Sequence, residues 1–524
     1  MTNLRRVAFL VASALIFAAS TWASASANAA AWVPSPVSQD EYGFSVSDLA
    51  YGPETFSHLM GLSTQQVSGM PNEYICGDGL SGNCDPSRSS LQAIVVLPPC
   101  QGAESPNCIA DLKLGKEGIF ETATLMETTG GNGLKASSNV GLPEGGTPSL
   151  WATRGDPSTP YVVLAVMKLN WATDGFVPTS LAAEVVPYEL KSGAFAAPTA
   201  MARILENGRS AVGFQADPEC IWQDLGRCGV RQDYAPGVKV QLSLRISRAL
   251  GGWFRGRLSH PDFTVTSSGA SQNVISVSGS PATIPQLQAT VGKNEASAEI
   301  KELFSPKNMP GYVGGSVGLQ ASYPNAPDFA NAFRKIANDT AAGLLTDWSF
   351  ATVGSTANPC LSDTSKVLGL VTTNSSIYDG QAPQFANGAL LYHVGGYHLL
   401  PDDSLNLGTY DLIMRKETAR CLYGFSSAPI SASVSVTSES GNENVATTNF
   451  TETGDWDHFT AYGFTFSNPK ISVKLSQSGG TNVVPLPVSA KRTIWCGNGK
   501  VSKVVTAVNP KCSKGWKVIA KPKG

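Results

Sequence analysis

The sequence predicts a mainly β protein: two antiparallel sandwich-like domains, a short helical connector and a small C-terminal disulfide hairpin. Three observations predict it. Apolar runs with a two-residue period recur along the chain. Stretches rich in glycine and proline, 52 and 33 residues of the 524, separate them. Only 15% of residues are charged, while 42% are hydrophobic. Period-two runs are half-buried antiparallel strands, and short strands with regular turns point to sandwiches. That much hydrophobic material excludes a disordered chain. The near balance of 38 Lys and Arg against 40 Asp and Glu argues against a general nucleic-acid binder, which needs a basic footprint.

Residues 1–29 read as an export signal. Arg5 and Arg6 are followed by an apolar stretch, 7–19, and then by small-x-small sites between Ala23 and Ala29. The apolar stretch is shorter than the ~20 residues of a spanning helix. No later stretch approaches that length, so the expectation is a protein without a transmembrane segment after signal removal, secreted or held at the cell envelope.

Ten cysteines follow the signal, and an even count in an exported chain reads as disulfides. Cys76/Cys84, Cys100/Cys108 and Cys220/Cys228 share one spacing, which suggests three local pairs. Cys496/Cys512 is then a fourth and Cys360/Cys421 the long one. Spacing alone leaves the connectivity open. Structural zinc sites want cysteines two to four residues apart, which these are not.

Strand signals come next. Residues 91–97 and 161–169 are β-branched apolar runs. Residues 238–246 alternate, with Val238, Val240, Leu242, Leu244 and Ile246 on one face. Residues 273–278, 430–436, 459–466 and 471–475 show the period less cleanly. Helices are expected at 329–345 with Asp328 as cap, at 295–304 with Asn294 as cap, and at 199–206. Their clustering places a helical connector at 286–350, between a β-rich domain at 30–285 and another at 351–489.

Residues 490–524 form a basic, disulfide-locked module. Lys491, Arg492, Lys500, Lys503, Lys511, Lys514, Lys517, Lys521 and Lys523 stand there without one acid. The whole chain is formally −2. With Arg5 and Arg6 gone with the signal and these nine charges set apart, the body carries −13. The mild total is a cancellation. Asn498-Gly499 between two strand-like runs is a hairpin turn signal.

The tail motif TIWCGNGKVSKVVTAVNPKCSKGWK resembles a small basic module that ends many secreted proteins of actinobacteria. Residues 360–475 resemble a recurring secreted domain of the same group through GALLYHVGGYH, YDLIMR, ARCLYGFSSAP and FTFSNPKISVKL. GGWFRGRLSHPDF at 251–263 is similar to another recurrent element. The resemblance implies a Gram-positive exported protein. It brings no catalytic activity and no functional residue.

Four constellations bear on chemistry. Gly314-Gly315-Ser316-Val317-Gly318 fits G-x-S-x-G, yet a nucleophile elbow needs a strand before and a helix after, and Pro324 cuts the following run short; a glycine loop is the plain reading. His393 and His398 with Asp402 and Asp403 match no zinc pattern. Glu452, Asp455, Asp457 and His458 around Trp456 suit calcium or glycan chemistry, against a solvated turn. Asp78, Asn83 and Asp85 lack a calcium-loop pattern. No catalytic, cofactor or metal residue is assigned. The expected function is a non-enzymatic surface or binding role, with the nine basic residues drawing the protein to an anionic wall polymer or membrane surface. The alternatives are a tail folded back on the acidic body, an extracellular hydrolase acting on glycans or esters, and a carbohydrate- or protein-binding module. Trp151, Trp171, Trp253 and Trp456 are candidates for a binding patch.

Overall fold

The computed structural model describes residues 34–519 except 48–55, 68–69, 78–79, 81, 88, 103–104, 117, 131–132, 205–208, 216, 218, 270, 310–313, 355–357, 426–429, 438–446, 467–469, 478–491, 499–501, 508–510 and 513–515. The export signal lies outside the described residues. Of those described, 59% are in strands and 7% in helices. The protein is mainly β, as the alternation predicts, and its sheets are chiefly antiparallel.

The strand Val238–Ser247 buries Val238, Val240, Leu242, Leu244 and Ile246, the five residues on its apolar face. It lies between Cys108–Lys116 and Gln272–Gly292, antiparallel to both. Longer strands also occur: Gly175–Ser192, Gly252–Ser268 and the 21-residue Gln272–Gly292. Among the described residues two strand pairings are parallel, Glu41–Ser47 with Ser316–Gln320 and Gly252–Ser268 with Val367–Thr373.

Two large cores form. The first gathers Leu91, Val163, Leu242, Trp348 and Phe350; the second gathers Phe44, Leu287, Phe333, Tyr392, Phe459 and Ile471. A middle sheet serves both. Side chains alternate across a strand, so Phe254, Leu370 and Ile413 enter the first core while their neighbours Trp253, Val371 and Leu412 enter the second. Gly252–Ser268, Val367–Thr373 and Leu407–Arg415 are hydrogen-bonded side by side in that sheet. Each large apolar side chain buried this way contributes roughly 1.5–3 kcal/mol.

The helices differ from expectation. Residues 329–345 do not form one helix. The helix is Ala326–Phe333, with Asn325 at its N-cap, and it buries Ala326, Phe329, Ala330 and Phe333. Turns follow Phe333, and a helix cannot run on to 345 because Asn338 and Asp339 take left-handed φ of 51° and 56° and because Gly343–Asp347 is recruited as a strand against 282–286 of Gln272–Gly292. The shorter helix is Ala298–Leu303, capped by Ser297 rather than Asn294, the Ser297 hydroxyl accepting from the Ile300 N–H at 3.2 Å. Residues 199–204 form a strand, because Thr199–Ile204 pairs residue for residue with Ser210–Gln215. A helix without a strong sequence signal, Lys416–Tyr423, ends on Gly424 at φ 66°.

All five expected disulfides form: Cys76–Cys84, Cys100–Cys108, Cys220–Cys228, Cys360–Cys421 and Cys496–Cys512. In the C-terminal module Arg492–Gly497 pairs with Ser502–Ala507 and with Lys517–Ile519.

Candidate functional site

A row of polar residues crosses the five-stranded sheet of the second half. Thr437, at the end of Ile430–Thr437, faces Lys470, at the start of Lys470–Gln477. Lys470 faces His393 in Ala389–Gly395. Asp379 follows the edge strand Ile377–Tyr378 and donates its backbone N–H to the His393 carbonyl at 3.0 Å. Directly opposed residues in a sheet share a face. The next row, Val436, Ile471 and Tyr392, points the other way and is fully buried in the second core. The period of two therefore anchors one row and presents the other.

The presented row forms part of a cleft of about 960 Å³. One wall is the helix Ala326–Phe333, whose apolar face enters the core while Pro327, Asp328 and Asn331 turn to the cleft. Ser322, Tyr323 and Pro324 continue that wall, and the Tyr323 ring is half exposed. The Tyr378 N–H donates to the Ala321 carbonyl at 3.1 Å and ties this wall to the sheet edge. Gln381 and Gln384 close the third side. Gly380 is required there: a Cβ would stand 2.9 Å from the Ser322 carbonyl oxygen and 3.0 Å from its Cβ.

Asp379 fixes His393. Its Oδ2 accepts the His393 backbone N–H at 2.8 Å and lies 3.0 Å from Nδ1. A carboxylate is an acceptor, so Nδ1 carries a proton, and in the neutral ring Nε2 is the acceptor. Asp379 is held in turn, because the Tyr392 hydroxyl donates to its carbonyl at 2.7 Å. Arg255 and Arg257 stack on the Tyr378 ring beneath, at 5.0 and 4.2 Å from its centroid.

The sites singled out from the sequence fare differently. Ser316 opens the strand Ser316–Gln320 and is exposed; that strand pairing, not an elbow, needs Gly315, where a Cβ would collide with the Glu41 carbonyl oxygen. His393 and His398 are not brought together. His398 Nδ1 bonds Asp339, which also takes Arg334 at 2.6 Å, while Asp402 accepts from Ser404. The 452–458 cluster divides: Glu452 and Asp457 are directly opposed across a strand pair, while His458 turns to another partner. His458 Nε2 lies 2.8 Å from the buried Asp411, which also accepts from Tyr462 at 2.6 Å. Asp457 is fully buried, and burial together with the charge of Glu452 raises its carboxyl to about 7. Asp85 accepts from Ser87, and Asp78 lies outside the described residues. Trp151 and Trp253 are core residues, and Trp171 and Trp456 pack against the first core. Among the described residues no group of three or more His, Cys, Asp or Glu is placed to hold a metal ion.

In the basic module, Lys511 and Lys517 are exposed. Arg492 and Lys503 are described in backbone only. Lys491, Lys500, Lys514, Lys521 and Lys523 lie outside the described residues. The cleft itself was missed by sequence reasoning, apart from His393. Its residues come from five stretches, and only the fold assembles them.

Comparison with protein-family models, with curated proteins and with solved structures finds no match for this chain.

Proposed function

We propose that this chain is an exported protein that stays at the cell envelope through its cationic C-terminal module and binds a polar ligand in the cleft, without turning it over. The observation that carries the binding half is the in-register polar row Thr437–Lys470–His393–Asp379, set over a fully packed apolar row. Convergent polar groups in a concave site are how small ligands are oriented. Five disulfides, and no helix among the described residues long and apolar enough to cross a membrane, are compatible with an extracellular protein. The charge split between tail and body supports the envelope half. Attraction of that kind is screened within about 10 Å at 0.1 M salt. Deleting 491–524 is expected to lower the cell-bound fraction, and raising salt is expected to release the intact protein. Retention that neither treatment changes would remove the envelope half of the reading.

An extracellular hydrolase is the second reading. The Asp379–His393 pair favours it, since a fixed imidazole with a free acceptor nitrogen suits a general base. Against it, no described serine hydroxyl is hydrogen-bonded to His393. Release of product from ester or oligosaccharide substrates, lost in His393→Ala, would decide for it.

A further inference from the structure

We propose that the ligand of the cleft is a polysaccharide segment: a sugar ring lies on Tyr323, and its hydroxyls are held by Asp379, His393 and Lys470 with the amides opposite. This rests on the reading of the cleft as a ligand site and adds the ligand's chemistry.

The donor and acceptor pattern selects the class. Asp328 and Asp379 are acceptors, Lys470 is a donor, His393 offers Nε2 as an acceptor, and Gln381 and Gln384 offer both. An anion wants donors, and two carboxylates repel it. A cation wants acceptors, and Lys470 repels it. A hydroxyl both donates and accepts, so a set of neighbouring hydroxyls satisfies an interleaved lining. Groups left without such partners would be costly on ligand burial, which is the source of selectivity.

Shape agrees. Tyr323 stands half exposed between Ser322 and Pro324, with Pro327 lining the same wall. These rings line the same side of the cleft, and an aromatic face suits the C–H face of a pyranose. Three strand spacings make the polar row about 14 Å long, room for more than one ring in line. The volume, about 960 Å³, lies near the top of the ~300–1,000 Å³ range of ligand pockets. A peptide added as a strand at the Ile377–Tyr378 edge is disfavoured as occupant. Strand addition needs an open sheet edge, and Ala321 already takes the Tyr378 N–H at this one.

The test uses the full-length mature protein at about 0.5 M salt, which cuts the tail's attraction to within roughly 4 Å. Binding is measured to isolated envelopes of the producing cell, before and after periodate cleavage of vicinal diols. It is also measured by calorimetry to hexasaccharides of glucose, mannose, xylose and N-acetylglucosamine. The expected result is that at least one 1,4-linked hexasaccharide binds, and that Tyr323→Ala and Asp379→Asn each raise Kd about tenfold with unchanged melting temperature. Periodate is expected to abolish envelope binding if that sugar is glucose, mannose or xylose, and to spare it if it is N-acetylglucosamine, which has no internal vicinal diol. Gln381→Ala, at an exposed position, replaces either variant that fails to fold. Equal binding to oxidised envelopes together with no binding to any hexasaccharide, with the variants still weakened, overturns the sugar and leaves the cleft as a site. Undiminished binding by the variants overturns the cleft itself. No binding to envelopes or to any hexasaccharide overturns both.

Discussion

Arg231 sits between two buried carboxylates, Glu184 and Asp347, with no more than 6% of any of the three side chains exposed. Its guanidinium bonds Glu184 and lies 3.4 Å from Asp347, which also accepts from Ser349 at 2.6 Å. One cation between two acids leaves an excess negative charge out of water, so a proton is retained. Burial first, then the charge of Glu184, pushes the Asp347 carboxyl up to about 8. Its unfolded value is near 3.8. Between those values the folded state holds a proton that the unfolded state has released, so this group's contribution to stability falls as pH rises through about 8. Asp347→Asn is expected to gain on the wild type, by more than about 1 kcal/mol, between pH 5 and pH 9 in urea unfolding. A difference that stays flat across that range would refute the retained proton. Nothing in the sequence marks this trio: 47 residues separate Glu184 from Arg231 and 116 separate Arg231 from Asp347.

The loop tied by Cys360–Cys421 has a sequence separation of 61, against 8 for each of the three local pairs. Loop-closure entropy then makes it worth about 4.3 kcal/mol against about 2.5 kcal/mol. Replacing both cysteines by serine is expected to lower the melting temperature more at this pair than at Cys220/Cys228. The reverse order would show that native contacts, not chain entropy, set the ranking. Strands were legible where apolar residues alternate without interruption, as at Val238–Ser247. They were not legible where proline interrupts, because proline reads as a turn. Gly252–Ser268 absorbs Pro261 at a register shift between Ser259 and Asp262, with His260 at φ 51°; Gly175–Ser192 has a shift beside Pro178. Proline belongs at such irregularities. The helix reading overshot 333 because Ile336, Ala337 and Leu344 keep the helical period, while strand pairing claims Leu344 and Leu345. The cleft was illegible for a related reason: Thr437, Lys470 and His393 meet only through register.

At the scale of the whole molecule, the middle sheet decides how the protein melts. Trp253 and Phe254 are neighbours, and each is fully buried in a different core. Neither core can lose its wall without exposing the other. The body is therefore expected to unfold in one calorimetric transition, with van't Hoff and calorimetric enthalpies in agreement. Two resolved body transitions would contradict the shared wall. The same wall limits how the chain can be divided. A nick within Gly252–Ser268 would leave each fragment with part of a strand that both cores require. Two pieces made that way should be individually insoluble, yet should reassemble when co-expressed, which makes this strand a place to build a split reporter.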